Sequence, residues 1–165
     1  MKTPPNQIKE ILYFPIAFKI LRPDDLNVIP TRIDGGMYYL RSPHRISQDI
    51  KGTRTISMGI EIKLPECIEM FTSSPGVTVP MIIHAHIDSL YDVMMEKGIE
   101  VLAPKVLSPA YTGKELKLTI RNIGTKIADI APGEPIACIY FSVTPPVLFG
   151  ENNNILGIPL CLILH

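Results

Sequence analysis

Residues 98 to 141 read GIEVLAPKVLSPAYTGKELKLTIRNIGTKIADIAPGEPIACIYF. Strict alternation dominates the middle of this stretch. Leu116, Leu118 and Ile120 fall on one side of an extended chain, and Lys117, Thr119 and Arg121 on the other. A period of two residues is the mark of a half-buried strand. Asn122-Ile123-Gly124 follows as a turn candidate, because Asn can bond its own backbone two residues on. Ile127 to Ile130 is a short strand. Ala131-Pro132-Gly133-Glu134 places Pro and Gly where a type II turn needs them. Pro135 to Val143 then reads as a well-buried strand.

The same pattern continues upstream. Thr55 to Leu64 sets Ile56, Met58, Ile60, Ile62 and Leu64 on one face, and Pro65 stops it. Val77 to Ile87 is rich in β-branched residues and reads as another strand. Glu10 to Leu21 carries Pro15 inside an apolar run, so it reads as an edge strand or two short strands. Sixteen prolines in 165 residues leave few intervals long enough for a helix. The one helix candidate is Ser89 to Lys97, with Ser89 as cap and Gly98 as terminator. Many short strands separated by turns predict a sandwich or barrel. No repeat or linker divides the chain, so a single domain over residues 1–165 is expected.

Hydrophobic residues make up 46% of the chain and charged residues only 19%. That supplies one core with an apolar surplus, which points to a subunit interface. Lys plus Arg equals Asp plus Glu, 16 each, so the basic excess of a nucleic-acid binder is missing. Cys67, Cys138 and Cys161 are too few and too far apart for a disulfide framework or a zinc motif. The first ten residues lack an apolar run, and Ile155 to Leu164 is short and contains Pro159. Neither a signal peptide nor a membrane helix is expected. A cytoplasmic or virion-associated setting follows as an expectation, with no nucleic-acid or membrane partner.

The stretch from Gly98 to Phe141 resembles the dUTPase and dCTP deaminase superfamily. The resemblance rests on Tyr111, Gly113, Asn122, Gly124, Pro132, Gly133, Ile136 and Ala137, which match in order and nearly in spacing. One extra residue stands between Gly113 and the next strand. Asp34-Gly35-Gly36 and the strand Thr55 to Leu64 look like the first family motif and the strand after it, and Phe18 to Pro23 looks like a dUTPase start. The resemblance covers roughly residues 17 to 149. It implies an all-β, distorted β-barrel or jelly-roll-like sandwich with at most one short helix, assembled as a homotrimer. The core is expected over 17–149, with 150–165 as a tail packing on a neighbouring subunit or closing its own barrel.

The catalytic residues of that family do not carry over. Its acidic turn resembles Ile-Asp-x-Asp-Tyr-x-Gly, with the first Asp ordering the attacking water. Here the turn is Leu107-Ser108-Pro109-Ala110-Tyr111-Thr112-Gly113. Ser108 and Ala110 stand in the carboxylate positions, and a hydroxyl cannot replace a carboxylate as general base. Gly36 is followed by Met37, Tyr38 and Tyr39, without the acid that organises magnesium in the family. Where the family has Pro-Arg-Ser-Gly as a phosphate clamp, residues 85 to 90 keep only Ser89. The Gly-rich, Arg-containing closing arm is missing, and Thr119 replaces the proton-shuttling Glu of the deaminase branch.

Several other residues are candidates. Tyr111, Gly113 and Ser89 are those for substrate binding, Tyr111 because the resemblance implies a ring under a deoxyribose. An aromatic plug of the barrel is the alternative. His84, His86 and Asp88 share a strand face and are weak metal candidates. The alternative is a polar face lining an axis or cleft, and no metal is expected. Tyr38, Tyr39 and Arg41 could stack on a base. Glu61, Asp88, Glu96 and Glu100 are the acids available to a rearranged site. The resulting expectation is a dUTPase-like homotrimer without catalysis, serving as a structural or interaction protein of viral or phage type, with the apolar tail available to other proteins. A divergent dUTP diphosphatase, which would need Mg, and a non-catalytic nucleotide-binding regulator are the alternatives.

Overall fold

The computed structural model describes residues 16–22, 26–71 and 74–144. The tail from 150, with Cys161 and His165, and the run from Glu10 to Pro15 lie outside these residues.

The fold is all-β with one short helix. In chain order the strands are β1 (Ala17–Ile20), β2 (Thr31–Arg32), β3 (Tyr38–Arg41), β4 (Ile46–Gln48), β5 (Thr53–Lys63), β6 (Ile68–Phe71) and β7 (Thr78–Ser89). Helix α1 (Tyr91–Lys97) follows, then β8 (Ile99–Ala103), β9 (Val106–Leu107), β10 (Glu115–Asn122), β11 (Ala128–Ile130) and β12 (Pro135–Thr144). One sheet has the order β1-β5-β10-β8, and a second runs β2-β3-β12-β7-β6 with β9 also on β7. β11 and β4 form a small third sheet. All pairings are antiparallel.

The alternation read from the sequence fixes which faces meet. Leu116, Leu118 and Ile120 are fully buried, as are Ile83, Ala85 and Ile87 on the opposing sheet. Both sets belong to one apolar core with Ile56, Ile60, Ile62, Ile99, Val101, Leu40 and Ile139. Two sheets that each carry one apolar face bury both by stacking, which yields the jelly-roll-like sandwich.

Along β5 alternation breaks at Met58-Gly59-Ile60, where three successive residues are buried. Glu115 pairs with Glu61 but Lys117 pairs with Ser57, so β5 bulges there against β10. The bulge brings the Gly59 carbonyl to the Leu21 N–H at 3.0 Å. It also sets Gly59 beneath Val28, which leaves contact room of 3.5 Å for a side chain no larger than a methyl.

The helix differs from expectation at its start. Ser89 ends β7 instead of capping α1; the cap position is Leu90, without a side-chain hydrogen bond. The Ser89 hydroxyl accepts the Val101 N–H at 2.8 Å and so ties β7 to β8. A strand residue this close to its neighbour satisfies backbone more readily than a helix start two residues on. Gly98 does end the helix, with φ of 71° and its N–H on the Met94 carbonyl. β4 and β6 are too short to show a period in the sequence. No helix among the described residues is long and apolar enough to cross a membrane.

Candidate functional site

Residues 108 to 113 form a short 3-10 turn, Pro109–Tyr111, between β9 and β10. Ser108 and Ala110 are both exposed, so the turn presents a hydroxyl and a methyl to solvent. Tyr111 is half-buried and packs its ring against the core. Its hydroxyl donates to the Glu115 carbonyl at 3.2 Å. Thr112 anchors the turn to the end of β5: its Oγ1 accepts the Leu64 N–H at 3.0 Å and donates to the Leu64 carbonyl at 3.1 Å. Gly113 has φ of +87° and open space around it. The turn therefore holds its shape through its own side chains. Thr112 was not singled out by sequence reasoning, because a lone hydroxyl in a turn has no periodic signal.

The acids do not gather at this turn. Glu100 Oε2 on β8 accepts from Arg121 on β10 at 2.7 Å. Glu61 of β5 lies 4.0 Å from its register partner Lys19 of β1. Asp88 is on the other sheet, and Glu96 is on α1. Glu115 is the carboxylate nearest in sequence; its Oε1 accepts the Gly59 N–H at 3.2 Å. Glu115 and Glu61 are register partners, which places two carboxylates on adjacent strands. Sequence reasoning missed Glu115, which reads there as an ordinary strand start.

The other candidates separate. Tyr38 faces inward, with its ring centroid 5.8 Å from Phe18 and 6.4 Å from Phe141. Tyr39 faces the other way, with the Arg41 guanidinium 5.6 Å from its ring centroid. Neighbouring residues of a strand point to opposite faces, so the two tyrosines cannot hold one base between them. Arg41 also donates to Thr31 Oγ1 and to the Gly133 carbonyl. Ser89 closes β7 and its hydroxyl is engaged by Val101.

His84, His86 and Asp88 do share a face of β7, opposite Ser142, Tyr140 and Cys138 of β12. The His86 ring stacks on Tyr140 at 4.9 Å and 11°, and His86 Nε2 lies 2.6 Å from Ser142 Oγ. The Asp88 carboxylate pushes the Tyr140 phenol up from its ordinary range, with burial adding to it. Burial pushes the Cys138 thiol up, and Asp88 adds to that. Among the described residues no three His, Cys, Asp or Glu side chains converge as metal ligands would. The geometry is a polar sheet face with His86 held sideways by an aromatic and a hydroxyl.

Two clefts lie elsewhere. One of about 430 Å³ runs between α1 and residues 123–129. The other, of about 300 Å³, is lined by Tyr39, Leu90, Tyr91, Asp92, Val93 and Pro135.

Asn122 is the best-satisfied polar group in the core. Its amide donates to the Gln48 carbonyl at 3.0 Å and the Lys126 carbonyl at 2.8 Å, and its Oδ1 accepts the Gly124 N–H at 2.8 Å. Beside it, Lys97 Nζ donates to both Glu134 carboxylate oxygens, at 2.7 and 2.8 Å, and to the Asp129 carbonyl. The Lys97 hydrogen bond holds Glu134 below the ordinary carboxylate range, against the opposite pull of burial. These contacts bind the helix end to the Pro-Gly turn.

No family model matches the sequence. No curated protein matches it either. Solved structures do resemble the fold. The EIAV dUTPase superposes with a TM-score of 0.58 at 16% identity, covering 85% of this chain and 99% of that one. The Streptococcus mutans dUTPase gives 0.56 at 15% identity, covering 81% and 98%. A mutant of the Staphylococcus bacteriophage 80alpha dUTPase gives 0.61 at 12% identity, covering 86% and 98%. With its two stacked antiparallel sheets, its 108–113 turn and its Asn122-x-Gly124 corner, the chain has a dUTPase-like fold.

Proposed function

We propose that this chain is a dUTPase-like protein without catalysis, which self-associates, as a homotrimer, and serves as a structural or interaction protein. The observation that carries the reading is the 108–113 turn: it presents a hydroxyl at Ser108 and a methyl at Ala110, and the hydroxyls of Tyr111 and Thr112 bond within the fold. A positioned general base contributes about 10²- to 10⁴-fold to a rate, and this turn supplies none. The low charge content and the zero net charge support association between copies.

Incubation with dUTP and magnesium, read as pyrophosphate release, tests the reading. No turnover above a Ser108→Ala control is expected. Turnover at an enzymatic rate would refute it. Calorimetry with dUTP and a non-hydrolysable analogue separates a nucleotide-binding regulator, which binds without turnover, from a structural protein, which does not bind. Sedimentation tests the trimer.

One observation favours a second reading, a divergent dUTP diphosphatase. Glu61 and Glu115 oppose each other across β5 and β10, two residues beyond Gly113. If hydrolysis is found, this reading requires Glu115→Gln to reduce it at least about 100-fold. It would also require a divalent ion for the phosphates, which the non-catalytic reading does not.

A further inference from the structure

The groove between α1 and residues 123–129 gathers three exposed apolar side chains in an otherwise polar lining. Met95, Ile123 and Ile127 all line it, and they are 66%, 49% and 61% exposed. Three large apolar side chains exposed in one concave site mark a place that something covers. Lys97, Lys126, Glu96 and Asp129 surround them, so the rim is charged in both senses and selects no acidic or basic partner. An uncharged apolar segment fits such a site best.

This chain contains one. Residues 155 to 164 read ILGIPLCLIL, without a single charged or hydrogen-bonding side chain except the thiol. The chain leaves the described fold at Thr144, the far end of β12. β12 is 10 residues long, or about 33 Å. Its near end, Pro135, follows Glu134, whose carboxylate holds Lys97 in the groove wall. Residues 145 to 154 can retrace about the same 33 Å when extended. Pro145 and Pro146 stiffen the start of that path. Fully extended, the connection is long enough for Ile155 to reach the end of the sandwich where the groove opens.

We propose that residues 155–164 dock in the groove of their own chain, covering Met95, Ile123 and Ile127. The proposal is independent of whether the 108–113 turn is catalytic. Hydrogen exchange on the full chain tests it. In Leu160→Glu/Leu162→Glu, and separately in Ile127→Asp, the amides of residues 123–129 should exchange about tenfold faster or more, a loss of roughly 1.4 kcal/mol of protection. The amides of β10 should stay unchanged, which verifies the fold. Unchanged exchange at 123–129 in both variants overturns the proposal.

A cysteine pair then decides between one chain and two. In a Cys67→Ser background, Ile127→Cys should oxidise with Cys161 within one chain, at a rate independent of concentration. It should do so well ahead of Val106→Cys, an exposed control whose reaction relies on tether concentration alone, of the order of millimolar. Links between chains that increase with concentration overturn the proposal in favour of a second copy as the occupant. Equal rates for the two positions overturn docking in either form.

Discussion

Replacing Gly98 by alanine should be among the most damaging single changes available outside the apolar core. Gly98 ends α1 with φ of 71°. An L-residue there costs about 1–2 kcal/mol from its own backbone. A second cost arises from proximity. A Cβ on Gly98 would lie 2.6 Å from the Gly124 nitrogen, 2.7 Å from its Cα and 2.9 Å from Asn122 Oδ1. The helix end and the Asn122–Gly124 corner must part to about 3.4 Å, and both neighbours are backbone or a fixed amide, so neither can swing aside. That separation strains the Ile123 N–H to Gly98 carbonyl bond (2.7 Å) and the Gly124 N–H to Asn122 Oδ1 bond (2.8 Å). Each buried bond left unmade costs about 1–3 kcal/mol. A total near 3–5 kcal/mol is expected, a large part of a typical 5–15 kcal/mol stability. Gly113→Ala isolates the first cost, because Gly113 has φ of +87° and nothing within 4 Å. Urea unfolding of both variants checks the reasoning: Gly113→Ala should lose about 1–2 kcal/mol and Gly98→Ala at least about 2 kcal/mol more. Equal losses would refute the close-approach part, and a Gly98→Ala loss below about 1 kcal/mol would refute the whole.

Three further outcomes are expected. Asn122→Ala removes two donors and one acceptor from a buried corner, so it should cost about 2–4 kcal/mol by denaturant melt, whereas the exposed Asp129→Ala should cost under about 1 kcal/mol. Glu134 titrates below its ordinary value when folded, so its ion pair contributes stability at pH above the unfolded carboxylate value and loses it as pH falls through the folded one. NMR titration should therefore show the Glu134 carboxyl moving up in Lys97→Met, with a stability loss at pH 7 of no more than about 1 kcal/mol because the pair is partly exposed. In a Cys161→Ser background, Cys67 should react quickly with a thiol reagent at pH 8. Cys138, buried and with its thiol pushed up, should react only at the rate of opening.

Alternation along the chain determined the strands that make the core. Ile56 to Leu64, Val79 to Ile87 and Leu116 to Ile120 announce their buried faces because a strand shows a residue to each side in turn. Turn chemistry did the same for Asn122-Ile123-Gly124 and Pro132-Gly133, since those residues act on their own backbone. That the 108–113 turn carries a hydroxyl at Ser108 and a methyl at Ala110 was legible too, because it is a matter of residue identity alone. Tertiary structure decided everything that depends on which strands become neighbours. It put Tyr38 and Tyr39 on opposite faces, turned Ser89 toward Val101 instead of a helix start, and set Glu115 opposite Glu61. It also placed His86 on Tyr140, residues 54 apart in the chain, and dispersed the acids. Periodicity is a local property of the chain, while register between strands far apart in sequence is settled by packing two apolar faces against each other.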